Sequence, residues 1–187
     1  MIYFDFLPEQ FPDWLFIVLL VIASLIVLWI ITFIVSISFT FIFKKKLKSG
    51  SNAVNMLLDQ RLEIMNVFLS FAKQYKIKLS PDDVKNIALL ERIHDFQKLS
   101  KEDRDYRVLT FVHSSYNIIA ACESSSKLVK DPLYPNKLVE FNDIEESYRQ
   151  KSALYNSDVI GYNYWVNVPT VKSLFKLFGL KNKDLIV

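Results

Sequence analysis

Glycine, cysteine and histidine are all scarce in this 187-residue sequence, which has three, one and two of them. Because glycine is the usual residue at positive φ, so few copies favour long helices with few tight turns. The single cysteine, Cys122, excludes an internal disulfide and a cysteine-based metal cluster. We expect Cys122 to be a buried, unreactive thiol, as free cysteines usually are.

The chain also lacks the excess of positive charge that suits nucleic acid. Its formal net charge is +3, and the part from Ser51 onward has 19 basic and 17 acidic side chains. A nucleic-acid-binding surface needs a basic face that displaces counterions from many phosphates. Nucleic acid is therefore not an expected partner.

Charged residues are absent from 14–43, a run of thirty residues that begins at Trp14 and ends at Phe43. A helix crosses the hydrocarbon of a bilayer in about 20 residues, so the run predicts one transmembrane helix with length to spare. A cleaved signal peptide has its positive charges before a shorter apolar core. Here the positive charges follow, and we predict an uncleaved, single-pass anchor.

The charges on either side of this run predict its orientation. The segment 1–13 contains only acidic charges, whereas four lysines follow the run directly, at Lys44, Lys45, Lys46 and Lys48. By the positive-inside rule, 1–13 is an external segment and the C-terminal domain is cytoplasmic. Trp14 then suits the outer headgroup level, and the four lysines suit the inner one.

Three small hydroxyl residues recur every four positions within the run, at Thr32, Ser36 and Thr40. Small residues on one stripe let two helices approach closely, which makes these positions candidates for an oligomerisation face. The alternative is that each hydroxyl bonds a carbonyl of its own helix.

Helix-start signals divide the rest of the chain into about four helices. We predict a basic juxtamembrane linker over 44–50, and a helical domain over 51–168 whose first helix is capped by Ser51 or Asn52. Further starts are predicted at Ser80-Pro81, Ser100 and Asp131-Pro132, each a capping residue before proline or acidic residues. The second helix is predicted to run to Leu99, and the apolar stripe of the third to include Leu109, Val112, Tyr116 and Ile119.

The fourth helix has a seam of residues spaced three and four apart. Its members are Phe141, Ile144, Tyr148, Ser152, Tyr155, Val159, Tyr162 and Val166. We predict that the seam packs against neighbouring helices and that the helix ends at Pro169. The tail 169–187 then resumes a helical spacing in which Phe175 and Phe178 alternate with lysines. It is predicted either to lie on the membrane as a basic amphipathic helix or to cap the end of the domain.

The C-terminal motifs resemble those of the LemA family of bacterial membrane proteins. The resemblance rests on two Tyr-Asn pairs, a valine between them, a following proline and a Phe-Gly before lysine, at Tyr155, Asn156, Val159, Tyr162, Asn163, Pro169, Phe178, Gly179 and Lys181. It extends upstream through Arg61, Glu123 and Glu145, and it departs from the family where Ser152 stands for an arginine. The resemblance implies one span in the bacterial inner membrane, an external N-terminus and an antiparallel helical bundle. It implies no reaction and no cofactor.

No catalytic arrangement emerges from the residue types. Glu91-x-x-His94 is one copy of a spacing that di-iron bundles use twice, and no second copy accompanies His113. We therefore expect no enzyme, no cofactor and no metal. The leading hypothesis is a membrane-anchored scaffold that self-associates through its helices and organises or remodels the bilayer, with the lipid bilayer and further copies of itself as partners. The alternative is a membrane-tethered binding module that holds a peptide, lipid or protein between its helices.

Overall fold

A computed structural model describes residues 12–90, 99–169 and 171–186. Within these ranges the regular structure is entirely α-helical, and strands are absent. The five helices described are α1 (Asp13–Gln74), α2 (Pro81–Ala88), α3 (Lys101–Glu123), α4 (Leu133–Val166) and α5 (Lys172–Leu177). Most of the predicted external segment, residues 1–11, lies outside the described residues.

The chain forms two compact units. The first contains the described residues up to Ile42 together with Tyr162–Asn182, and the second contains Phe43–Gly161 together with the end of the chain from Lys183. Helices α1 and α4 each contribute residues to both units.

The predicted linker 44–50 lies inside a helix, so the helix start predicted after it is wrong. α1 is a single helix of 62 residues, so no helix begins at Ser51 or Asn52. The lysines of this stretch are good helix formers, and one glycine within a helix costs only about 1 kcal/mol relative to alanine. Leu47 and Val54 are buried on either side of Gly50, so the same apolar stripe continues through the stretch and holds it helical.

The other predicted helix starts are confirmed. α2 begins at Pro81, α3 is capped by Ser100 Oγ, which accepts a hydrogen bond from the Asp103 amide at 3.1 Å, and α4 follows Asp131, whose Oδ1 accepts from the Leu133 amide at 2.9 Å. α2 ends at Ala88 rather than at Leu99. Glu91 and His94 lie in 91–98, outside the described residues.

The hydrophobic core of the second unit is centred on Phe68 of α1, which is fully buried. The ring of Phe68 packs edge to face against Phe71, Tyr134 and Phe141, with centroids 6.3, 6.0 and 6.1 Å away. Such edge contacts suit the charge distribution of aromatic rings. Cys122 is also fully buried, as predicted, and burial raises the pKa of its thiol to about 11.

The buried face of α3 agrees with the predicted stripe only in part. Ile119 is buried and Val112 is half-buried, as predicted, whereas Leu109 and Tyr116 are 55% and 53% exposed. The buried side chains of α3 are Val108, Phe111, Ser114, Ser115, Ile118, Ile119 and Cys122. The serines and the cysteine of the buried stripe are small, which suits close packing of helices.

The predicted seam of α4 is confirmed for most of its members. Phe141, Tyr148, Ser152, Val159, Tyr162 and Val166 are buried, and Ile144 and Tyr155 are half-buried. The seam persists through Ser152 because a small side chain still allows a neighbouring helix to approach.

A buried ion pair lies within the second unit. Arg61 of α1, whose side chain is 2% exposed, donates from Nε and Nη2 to the two carboxylate oxygens of Glu145, both at 2.5 Å. The guanidinium also lies 4.0 Å from the centroid of the Tyr148 ring and 5.6 Å from that of Phe111. A planar, weakly hydrated cation suits this site, because it forms two parallel hydrogen bonds and stacks on rings.

We expect Glu145→Gln to destabilise the protein by about 3 kcal/mol or more, because it leaves the Arg61 charge buried without its counter-charge. Glu146→Gln is a matched control. Glu146 also accepts two hydrogen bonds from one arginine, Arg149, but the Arg149 side chain is 75% exposed, so the pair is not buried. The measurement is thermal unfolding of both variants in detergent, monitored by circular dichroism. Equal losses of stability in the two variants would show that burial does not make the Arg61–Glu145 pair more important for stability than an exposed pair.

Candidate membrane interface

The first part of α1 has almost no protein around it. From residue 14 to residue 31 every described side chain except Leu15 is exposed, and the segment is apolar enough to cross a membrane. These residues extend about 27 Å at 1.5 Å each, close to the hydrocarbon thickness of about 30 Å. The exposed apolar length therefore matches a bilayer better than the full thirty-residue run does.

Protein contacts begin on one side of α1 at Thr32. Thr32 and Phe33 are half-buried, and Ser36 and Thr40 are 0% and 2% exposed. Within the same unit the Phe39 ring stacks on the Trp165 ring of α4, with centroids 4.7 Å apart and planes at 4°. The opposite face of α1 stays exposed at Ile34, Phe41 and Ile42.

The prediction of an oligomerisation face is therefore wrong for Ser36 and Thr40, two of the three residues in the stripe. Ser36 and Thr40 are covered within the protomer, so they are not open to the helix of another copy. Thr32 follows the alternative interpretation, because its hydroxyl donates to the Leu28 carbonyl of its own helix at 2.8 Å. Small residues do mark a close contact here, but the contact lies inside one chain.

The tail has apolar residues that are buried and apolar residues that are exposed. Val171 and Phe175 are buried, at 0% and 2% exposure. Phe175, which was predicted to lie at the membrane surface, therefore belongs to the protein interior. Leu177 and Phe178 are 80% and 69% exposed. Phe178 therefore remains a candidate for lipid contact, and Leu177 joins it.

Gly179 ends α5 in a left-handed conformation, with φ of 70°. The Leu180 amide donates to the Phe175 carbonyl and the Gly179 amide to the Lys176 carbonyl, the two bonds of a Schellman cap. The cap turns the chain immediately after Leu177 and Phe178. A side chain at position 179 would meet no neighbouring atom, so the requirement for glycine is conformational.

Gly179→Ala should weaken this cap by about 1 kcal/mol, because alanine disfavours positive φ. The expected result is about fivefold faster hydrogen exchange at the Leu180 amide, with no change at amides in the middle of α3. Unchanged exchange at Leu180 would contradict the role assigned to the cap.

The lysines predicted at the inner headgroup level are exposed on α1. Lys44, Lys45 and Lys48 are solvent-exposed, while Lys46 lies 3.9 Å from Asp158 and 5.5 Å from the centroid of the Phe43 ring. The stretch between Asp158 and Asp184 contains no acidic residue, and it includes Lys172, Lys176 and Lys181. Trp14, at the other end of the segment, is 63% exposed.

The first Tyr-Asn pair has a defined structural role. The ring of Tyr155 packs where a side chain on Gly50 would lie, 3.2 Å from the ideal Cβ position. The side-chain amide of Asn156 forms two hydrogen bonds with the backbone of Ile186. In the second pair Tyr162 is buried, and Asn163 accepts at its carbonyl from the Asn167 side chain.

Two further contacts between α1 and α4 were not predicted from the sequence. Trp165 stacks on Phe39, and Gly161 allows the Phe43 ring to approach α4, since a Cβ there would lie 2.5 Å from Phe43 Cζ. A glycine in the middle of a predicted helix was the available signal for the second contact. Pro169 lies beyond the end of α4, which stops at Val166.

The described residues contain no group of three or more histidine, cysteine, aspartate or glutamate side chains that would hold a metal ion. Comparison of the chain with family models, with curated proteins and with solved structures found no match. The resemblance to the LemA family therefore stays a prediction that rests on the motif residues alone.

Proposed function

We propose that this protein is a membrane-anchored, non-enzymatic scaffold that self-associates through its helices and organises the bilayer around it. The observation that carries the proposal is the exposed, apolar segment 14–31, which continues without a break into a helical body. In this proposal the segment spans a bacterial inner membrane, with the N-terminus outside and the helical body in the cytoplasm. The lysines after the apolar run support this orientation.

We infer that the helical body is an antiparallel bundle, as expected for a LemA-like protein. Contacts between α1 and α4 support this, because they pair low residue numbers in one helix with high numbers in the other. Phe68 packs on Tyr134, Arg61 binds Glu145, Tyr155 approaches Gly50 and Phe43 approaches Gly161.

The first unit offers a second contact with lipid. Trp165 stacks on Phe39, and Phe39 lies four residues before Phe43, where the uncharged run ends. This contact supports a position for Tyr162–Asn182 at the inner headgroup level. Leu177 and Phe178 then meet the acyl boundary, and Lys172, Lys176 and Lys181 meet anionic headgroups. One short helix binds a membrane weakly by itself, but a span in the same chain raises its local concentration.

Self-association requires a surface other than the covered stripe. Ile34, Phe41 and Ile42 form an exposed apolar face of α1, on the side of the helix opposite Ser36 and Thr40 at 100° per residue. This face extends past the length needed to cross the hydrocarbon, so it is available to a second copy. We propose it as the contact between copies.

Ile42→Cys should form disulfide-linked dimers in native membranes under mild oxidation, because two copies of the exposed face bring these positions together. Thr40→Cys is the matched control and should not, since position 40 is covered within the protomer. Cys122 does not interfere, because it is buried and the pKa of its thiol is about 11. The measurement is non-reducing electrophoresis at native expression level. Monomer alone for both variants would count against self-association, and equal dimer yields would count against this face.

A further inference from the structure

Most of α3 has no charged residue, although one side of it faces solvent. Residues 108–122 form a run of fifteen without aspartate, glutamate, lysine or arginine, the longest such run after the apolar segment 14–43. The seven residues before it, 101–107, include six charged side chains. A helix on a protein surface ordinarily has charged and polar residues on its solvent side. The solvent side of α3 is therefore not that of an ordinary surface helix.

The exposed residues of α3 follow the spacing of a helix-packing seam. They are spaced three and four apart, at Tyr106, Leu109, His113, Tyr116 and Ala120, and all five are exposed. At 3.6 residues per turn they lie on the side of the helix opposite its buried residues. The same spacing is found where two helices pack along their length. We name these five residues the α3 outer face.

The neighbouring helices border the α3 outer face without covering it. On one side, Asn117 donates from Nδ2 to Oδ1 of Asp83 in α2 at 3.2 Å. On the other side, the Tyr116 ring packs edge to face against Phe141 of α4, with centroids 5.9 Å apart. Tyr116 is nevertheless 53% exposed, and Tyr106 and Leu109 are 67% and 55% exposed. The face thus lies open between α2 and α4.

The chemistry of the α3 outer face restricts what binds it. A charged side chain buried against the face would lose its water without gaining a counter-charge, so the partner needs an uncharged surface. A membrane surface is disfavoured, because helices that lie on a bilayer are rich in lysine and arginine and residues 108–122 contain neither. A second copy of the chain supplies an uncharged surface with the same length and spacing.

The size of the face suits copies that are anchored in one membrane. The exposed parts of Tyr106, Leu109 and Tyr116 amount to roughly 350 Å² per copy. A specific interface between free proteins buries about 800 Å² on each partner, so this face alone is too small to hold a dimer in solution. Two copies anchored in one membrane have a raised local concentration. Because they share one orientation, they also present their faces at the same height.

We propose that the α3 outer face binds the same face of a second copy, across a twofold axis that passes near His113. His113 is the central residue of the five, and in a twofold contact a residue on the axis meets its own counterpart. The inference rests on the self-association proposed above. It adds a contact in the helical body to the contact proposed on α1.

The test introduces a cysteine at the centre of the face, in purified full-length protein in lipid vesicles. His113→Cys should form disulfide-linked dimers under mild oxidation, because the axis brings the two sulfurs together. Asn66→Cys, at an exposed position of α1 outside the face, reports random collisions. We expect at least about fivefold more dimer for position 113 than for position 66 on non-reducing electrophoresis, because only paired positions hold their α-carbons within about 7 Å. Cys122 is buried and does not contribute.

A second substitution tests whether the face itself makes the contact. Leu109→Glu, added to His113→Cys, places two like charges in the interface and should lower the dimer yield about fivefold or more. Met56→Glu is the matched control, since Met56 of α1 is 56% exposed and Leu109 is 55% exposed. It should leave the yield unchanged. Circular dichroism melting of both variants separates a lost contact from lost folding.

The outcome is separable from that of the contact proposed on α1. Dimers of Ile42→Cys, with His113→Cys no higher than the Asn66→Cys level, would overturn the α3 contact and leave self-association standing. Monomer alone at both positions would overturn the two together. A yield that Leu109→Glu leaves unchanged in folded protein would also overturn the α3 contact. So would a His113→Cys product in native membranes that contains another protein in place of a second copy.

Discussion

One helix with two kinds of surroundings is the constraint on which the structure depends. Residues 14–31 of α1 are uncharged and, apart from Leu15, exposed, whereas from Thr32 onward one side of the helix is covered. The buried residues on that side form a stripe and are spaced three, four or seven apart, at Ser36, Thr40, Leu47, Val54, Leu58, Arg61, Met65, Phe68 and Ala72. Both parts belong to one helix of 62 residues.

The body is built on the far part of this stripe, where apolar and ionic contacts act together. Phe68 lies at the centre of the aromatic cluster, and two helical turns earlier Arg61 is held between Glu145 and the ring of Tyr148. A buried ion pair often gives little net stability compared with apolar packing, yet its loss on one side is costly. We infer that the pair favours one alignment of α1 with α4, because Arg61 binds both oxygens of Glu145.

Much of the fold was predictable, because its signals are local. The uncharged run, the caps at Ser100 and Asp131 and the seam of α4 follow from residue type and spacing, and the structure confirms them as helices or as buried faces. The helix start wrongly predicted at Ser51 or Asn52 and the exposed residues of the predicted α3 stripe have a different cause. Gly50 looks like a break until its neighbours are known, and Leu109 competes with Val108 for the inward position. The coverage of Ser36 and Thr40 and the contact of Asn156 with Ile186 join residues far apart in sequence, so spacing alone did not predict them.

The most direct test is spin labelling at successive positions from 16 to 43 in lipid vesicles, with oxygen and a water-soluble nickel complex as relaxation agents. We expect oxygen to reach every position from 16 to 31 and the nickel complex to reach none of them. From 32 onward, accessibility should vary with a period of 3.6 residues, with minima at 36 and 40. Access of the nickel complex throughout 16–31 would contradict the position of this segment in the bilayer, and the absence of that period beyond 32 would contradict the covered stripe.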